Sequence, residues 1–120
     1  MANVETIVVA WLKALPVANG YSVSGDIPKE RPEKFITVDR TGGPREAMVL
    51  DRAEILIEVY NRNSRLDASE VANLIADHII ELEAYDDNIT HASVNSVVNL
   101  DDIIGQYSRY QVYCDVYLRR

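Results

Sequence analysis

From Tyr107 to Leu118 the chain alternates without a break, and this stretch limits the fold more than any other. Tyr110, Val112, Cys114, Val116 and Leu118 share one parity, while Arg109, Gln111, Tyr113, Asp115, Tyr117 and Arg119 share the other. A two-residue period sends successive side chains to opposite faces of a strand. One apolar and one polar face describe a sheet covered on one side only, which is the habit of antiparallel sheets. Glu54 to Asn61 repeats the pattern, with Ile55, Ile57 and Val59 facing in and Glu58 and Tyr60 facing away. Phe35 to Thr41 sets Ile36 and Val38 against Thr37 and Asp39, and Ala92 to Leu100 places Val94, Ser96 and Val98 on one face. Tyr21 to Ser24 is a further short strand.

Helices must supply the cover. Val4, Ile7, Val8, Trp11, Leu12 and Leu15 recur at helical spacing, with Asn3 placed to cap the first turn and Pro16 to stop the last. A second helix carries the stripe Val71, Leu74, Ile75, His78, Ile79 and Leu82 and ends near Tyr85. The Asp67-Ala68-Ser69-Glu70 run that opens it has the spacing of a capping box. The fold class is therefore α+β: a single, mostly antiparallel sheet with both helices on one face, and Trp11, Ile57, Ile75, Val112 and Val116 meeting in the core. Asp26 to Pro32 holds two prolines and reads as a surface loop, since proline cannot donate in the middle of a sheet. Pro44 to Arg52, after the Gly42-Gly43 break, is long enough to form a protruding hairpin loop.

At 120 residues the chain is read as one domain, 1–120. Its net charge of -7 disfavours general binding to phosphate backbones. Arg40, Arg45 and Arg52, and likewise Arg62 and Arg65, are close in sequence, and read either as a local basic patch or as scattered surface charges. The single cysteine, Cys114, excludes an internal disulfide and fits a reducing compartment. Glu5 and the short apolar run Ile7 to Leu12 do not make a signal peptide, and no segment reaches the ~20 apolar residues of a membrane span.

A search for chemistry yields little. Gly42-Gly43 is followed by Pro44, not by the lysine-serine of a phosphate loop, and no HExxH, paired CxxC or GxSxG occurs. His78 reads as a core-edge histidine. Asp86, Asp87 and His91 are the nearest thing to a ligand cluster, but their spacing is that of an ordinary turn. Cys114 alternates with core residues and has no adjacent cation to activate it. No catalytic, cofactor or metal residue is assigned, and the chain is read as a non-enzyme. Four of the seven tyrosines lie between Tyr107 and Tyr117. On the polar face, Tyr113 and Tyr117 mix with Arg109 and Arg119, a composition common to interface hot spots and to stable exposed sheets.

One stretch has a familiar order. Trp11-Leu12 and Leu15-Pro16 are followed by Asp26-Ile27-Pro28, Arg31-Pro32, the run Phe35 to Gly43, and then Asp51-Arg52 before a hydrophobic strand and a capped helix. This resembles the tail terminator proteins of long-tailed, siphovirus-type bacteriophages, especially those of actinobacterial hosts. Where that family has proline after Asp-Arg, this chain has Ala53. The resemblance implies a small α+β subunit of a virion, assembled in the host cytoplasm and placed at the head-proximal end of the tail. It implies a six-fold ring that caps the tail tube, stops its polymerisation and offers a surface to the head-tail connector protein. DNA would pass through the lumen without specific binding, and no membrane is involved.

Joined to the residues above, the resemblance makes Arg45, Arg52, Arg109, Tyr113, Tyr117 and Arg119 the expected protein-interface set. The Gly25 to Lys34 and Gly42 to Arg52 segments are expected at the ring's edges. Asp86, Asp87, Asp101 and Asp102 are candidates for an acidic lumen. A neck subunit or a small ligand-binding regulatory domain is the alternative, with an enzyme behind both.

Overall fold

The computed structural model describes residues 3–18, 20–43 and 50–119. Helix α1 is Val4–Ala14; after it come strands β1 (Ser22–Ser24), β2 (Lys34–Gly42) and β3 (Leu50–Asn61). Helices α2 (Arg65–His78) and α3 (Leu82–Tyr85) then lead to β4 (Ile89–Asn99) and β5 (Ser108–Arg119). The five strands form one sheet in the order β1-β2-β3-β5-β4. All neighbours run antiparallel except β1 and β2, which are parallel. The expected class, a mostly antiparallel sheet with helices packed on it, is the one observed.

Helix α1 begins and ends where its sequence directs. Asn3 stays extended and its side chain accepts from the Thr6 amide, while Leu15 returns to extended backbone ahead of Pro16. Its apolar stripe and that of α2 enter one continuous core with the inward residues of β2, β3 and β5, where Trp11, Ile57, Ile75, Val112 and Val116 all lie. Burying a side chain of this size contributes about 1.5–3 kcal/mol, so the two-period match between helices and strands is the main source of stability.

Helix α2 starts earlier than its sequence suggests. Its cap is Ser64, whose hydroxyl accepts from the Asp67 amide at 3.1 Å. Asp67, expected as the cap, sits inside the first turn, and its carboxylate accepts from the Tyr21 hydroxyl at 2.6 Å and from Asn61 Nδ2 at 3.1 Å. A carboxylate near the helix N-terminus is favoured by the helix dipole, and here it also ties α2 to the segment entering β1. Asn61 completes the device, accepting from the Asn63 and Ser64 amides to shape the turn. Burial and the Asp67 contact push the Tyr21 hydroxyl well above the ordinary tyrosine range.

Two register shifts interrupt β4, one between Ile89 and His91 and one between Val94 and Ser96. The second separates residues that strict alternation puts together. Val94 and Val97 pack toward the core, while Ser96 and Val98 are exposed. The extra residue of a bulge reverses the parity of everything beyond it.

At the far end of the sheet, Arg40 reaches fully buried Asp51 with Nη2–Oδ1 at 3.3 Å, and donates to the Gly42, Gly43 and Arg52 carbonyls. The Arg40, Gly42-Gly43 and Asp51 residues of the recognised stretch are therefore a clamp between β2 and β3. Gly43 has φ of 103°, and an added Cβ would sit 2.2 Å from the Arg52 carbonyl oxygen, so only glycine fits there. The expected hairpin loop is shorter than Pro44 to Arg52, because Leu50, Asp51 and Arg52 belong to β3. Its remaining residues, Arg45 among them, lie outside the described ones.

Candidate assembly surface

The face of the sheet turned away from the helices is the surface to which the sequence assigns recognition. Cross-strand register fixes its composition row by row. Arg52, Tyr117 and His91 stand side by side on β3, β5 and β4. The next rows are Glu54, Asp115 and Ser93, then Asp39, Leu56, Tyr113 and Ser96, then Thr37, Glu58, Gln111 and Val98. Tyr113 and Tyr117 are half-buried, as rings lying along a sheet surface must be. The Tyr117 ring lies 5.8 Å from that of His91, and the Tyr113 hydroxyl donates to Gln111 Oε1, whose amide in turn donates to Glu58.

The expected interface residues do not form one patch. Arg52, Tyr113 and Tyr117 are brought onto the middle of this face. Arg119 is exposed at its far end. Arg109 lies at the opposite end, ten residues away on an extended strand, a span of roughly 34 Å. Its Nε donates to the Leu100 carbonyl at 2.8 Å and lies 3.5 Å from Glu58, with the guanidinium 5.8 Å from the Tyr60 ring centroid. Arg109 is thus engaged in holding its own subunit together. Four carboxylates, Asp39, Glu54, Glu58 and Asp115, share this face with three guanidiniums, Arg52, Arg109 and Arg119, so acidic groups outnumber basic ones by one.

Alternation turned Tyr60 away from the core, and Phe35 stands opposite it on the same face, yet both are buried. Phe35, Tyr60 and Tyr107 form a second, separate apolar cluster on this side of the sheet. Phe35 and Tyr60 stack at 4.3 Å, and Tyr107 meets both edge-on at 5.3 and 5.8 Å. Arg62 caps Tyr107 at 4.5 Å from the ring centroid, and the Tyr107 hydroxyl donates to the Pro32 carbonyl at 2.6 Å. The 25–33 loop is thereby pinned to the β4–β5 turn, a link reinforced by Arg31 on Asp102 at 3.1 Å. The Gly105 amide, and after it Arg31, hold the Asp102 carboxyl below its ordinary range.

The candidates for chemistry are placed as follows. His78 is part-exposed and paired with Glu81. His91 contacts Glu83 at 3.0 Å, and Asp86 accepts from the Asn88 backbone and side chain, so Asp86, Asp87 and His91 make no shared site. Among the described residues no group of three or more His, Cys, Asp or Glu is placed to hold a metal ion, and no helix is long and apolar enough to cross a membrane. Cys114 is buried, its thiol pushed up to about 12 by desolvation and then by Asp115. The cavities are open depressions. One of about 470 Å³ is lined by Gly25, Asp26, Ile27, Thr37, Asp39 and Glu58. Another of about 470 Å³ lies on the helical side, against Trp11, Ala14, Leu15, Pro16, Glu81, Ala84 and Tyr85.

No family model matches the chain, and no curated protein matches it. Among solved structures the fold is shared with a chain from the virion of a native gene transfer agent (GTA) particle. The two are 11% identical, with a TM-score of 0.71 over 97% of this chain and 94% of that one. At that identity the likeness establishes a common fold.

Proposed function

We propose that this chain is a structural subunit of a phage-type virion, a tail terminator whose ring caps the tail tube and presents a docking surface to the head-tail connector. The observation that carries this reading is the near end-to-end agreement of fold with a chain of a GTA virion particle. It coincides with the terminator-like run from Trp11 to Arg52, read independently from sequence. The surface is consistent with assembly: half-buried tyrosines beside Arg52, depressions open to solvent, and a buried cysteine.

In this reading the subunit joins copies of itself, most simply six, and then meets the tail-tube protein and the connector. It resides at the head-proximal end of the tail after assembly in the host cytoplasm. DNA crosses the lumen without specific contacts. A six-membered ring would carry on the order of forty negative charges before screening. Asp86 and Asp87 lie before β4 and Asp101 and Asp102 after it, at opposite ends of that strand, so only one pair can line a narrow lumen.

The test is arrest of tube growth. Purified protein added to growing tail tubes should stop elongation and leave a ring at one end in electron micrographs, with a mass in solution six times 13.5 kDa. Arg45→Glu with Arg52→Glu should impair capping while the chain still folds. Tubes that elongate at the same rate would refute the terminator role, and a ring that binds only the head side would make the chain a neck subunit. A shift of duplex DNA in a gel at moderate salt would overturn the passive lumen.

A further inference from the structure

The turn between β4 and β5 carries apolar side chains that the subunit does not cover. Leu100 is 52% exposed, Ile103 84% and Ile104 97%. Single exposed aliphatics are normal on a protein surface, but two adjacent isoleucines on a fixed turn form a knob. The turn is well held. Asp102 and Tyr107 exchange backbone hydrogen bonds, the Gly105 amide donates to Asp102, and Gln106 takes a φ of 61° to close the loop. Tyr107 anchors the whole turn in the aromatic cluster. The knob therefore loses little conformational freedom on binding.

The helical side holds a matching recess. The last turns of α1 and α3 frame the cavity of about 470 Å³ lined by Trp11, Ala14, Leu15, Pro16, Ala84 and Tyr85. A cavity of about 150 Å³ already takes one benzene-sized group, so two branched aliphatic side chains fit. The subunit's own knob cannot fill it. α3 ends just before β4 begins, the knob leaves just after β4 ends, and the strand's 11 residues span roughly 36 Å.

We propose that Ile103 and Ile104 of one subunit seat in the Trp11–Tyr85 recess of the next copy of this chain. A second copy is favoured because knob and recess coexist on one chain, on surfaces that cannot meet within it. Charge agrees: Arg31 stands beside the knob at Gly105, and Glu81, which also contacts His78, is the one carboxylate among the recess residues. The knob's own carboxylates are turned inward, Asp101 onto Asn99 and the Arg109 amide, Asp102 onto Arg31 and Gly105. A contact between two different surfaces propagates head to tail and closes into a ring when the rotation permits. The proposal rests on the ring reading and names the joint within it.

Two variants test it. Ile104→Cys combined with Ala84→Cys in the full chain should, on mild oxidation, give a ladder of cross-linked species on a denaturing gel. Either single variant can give no species beyond a dimer, and buried Cys114 does not compete. Ile103→Asp with Ile104→Asp should raise the concentration needed for self-association at least roughly a hundredfold, in solution and on tail-tube ends. Its thermal midpoint as a monomer should be unchanged. A wild-type ring with no ladder and normal assembly of the aspartate variant would overturn the joint and leave the ring reading intact. Loss of assembly without the ladder would place the knob against some other surface and overturn the recess. A wild-type chain that stays monomeric even on tubes would overturn both. Should the aspartate variant fail to fold, the ladder alone decides.

Discussion

Tyr107 offers the sharpest test of what the apolar cluster on the open side of the sheet contributes. Its ring is 2% exposed and packs edge-on against Phe35 and Tyr60 under the Arg62 guanidinium. Tyr107→Ala removes a buried aromatic from a cluster of three, a change that typically costs about 3–5 kcal/mol. Tyr107→Phe keeps the ring and removes only the hydrogen bond to the Pro32 carbonyl, worth about 0.5–1.5 kcal/mol. Urea unfolding followed by circular dichroism separates the two. With a slope of about 2 kcal/mol per molar, the alanine variant should unfold roughly 2 M earlier and the phenylalanine variant roughly 0.5 M earlier. The midpoint should be read at two protein concentrations, since dissociation of an assembly depends on concentration and unfolding of a subunit does not. An alanine variant within about 1 kcal/mol of wild type would show that the cluster is surface decoration and that the main core alone sets stability.

Other consequences follow from the surface and from single groups. Tyr113→Ser with Tyr117→Ser should weaken ring assembly, seen as a fall in sedimentation coefficient, and leave a folded monomer; normal assembly would remove the open face of β5 from the interface. The depressed Asp102 carboxyl stabilises the fold above its unfolded pKa, and that contribution is lost as pH falls through the lower folded value. The protection of the 100–107 turn against hydrogen exchange, taken relative to the intrinsic amide rate at each pH, should therefore fall in acid, and less so in Asp102→Asn. Cys114 is buried and its thiol is pushed up to about 12 by desolvation, so a thiol reagent should modify it only as fast as the chain unfolds.

Where local rules had no competitor, the sequence was a sufficient guide. Asn3 and Pro16 bound α1, and the alternation of Ile55, Ile57 and Val59 and of Val112, Cys114 and Val116 faces the core as read. The misread places each involve a choice that local chemistry leaves open. Ser64 and Asp67 both offer a capping side chain, and the contest is settled by Asn61 and Tyr21, the latter distant in sequence. The bulge between Val94 and Ser96 leaves no mark in composition, because valine and serine are equally at home on either parity of an edge strand. Phe35, Tyr60 and Tyr107 come from three separate segments, so their meeting depends on the register of β2, β3 and β5. Ile103 and Ile104 did leave a signal: two branched apolar residues inside a turn that polar residues would have closed as well.

The broken register of β4 bears on what kind of polymer this chain can enter. β4 is the long outer strand of the sheet, and a straight one would invite a neighbour's backbone to continue the ladder without limit. Its two bulges put the unpaired groups out of step, and at Ala92 the backbone amide is already taken by Glu83 Oε2 at 3.2 Å. An incoming strand would have to evict that carboxylate to bond at Ala92. Growth by strand addition, the route to fibrils, is thus obstructed from within the subunit. What is left for contact between copies is side-chain recognition, which saturates once each surface has found its partner.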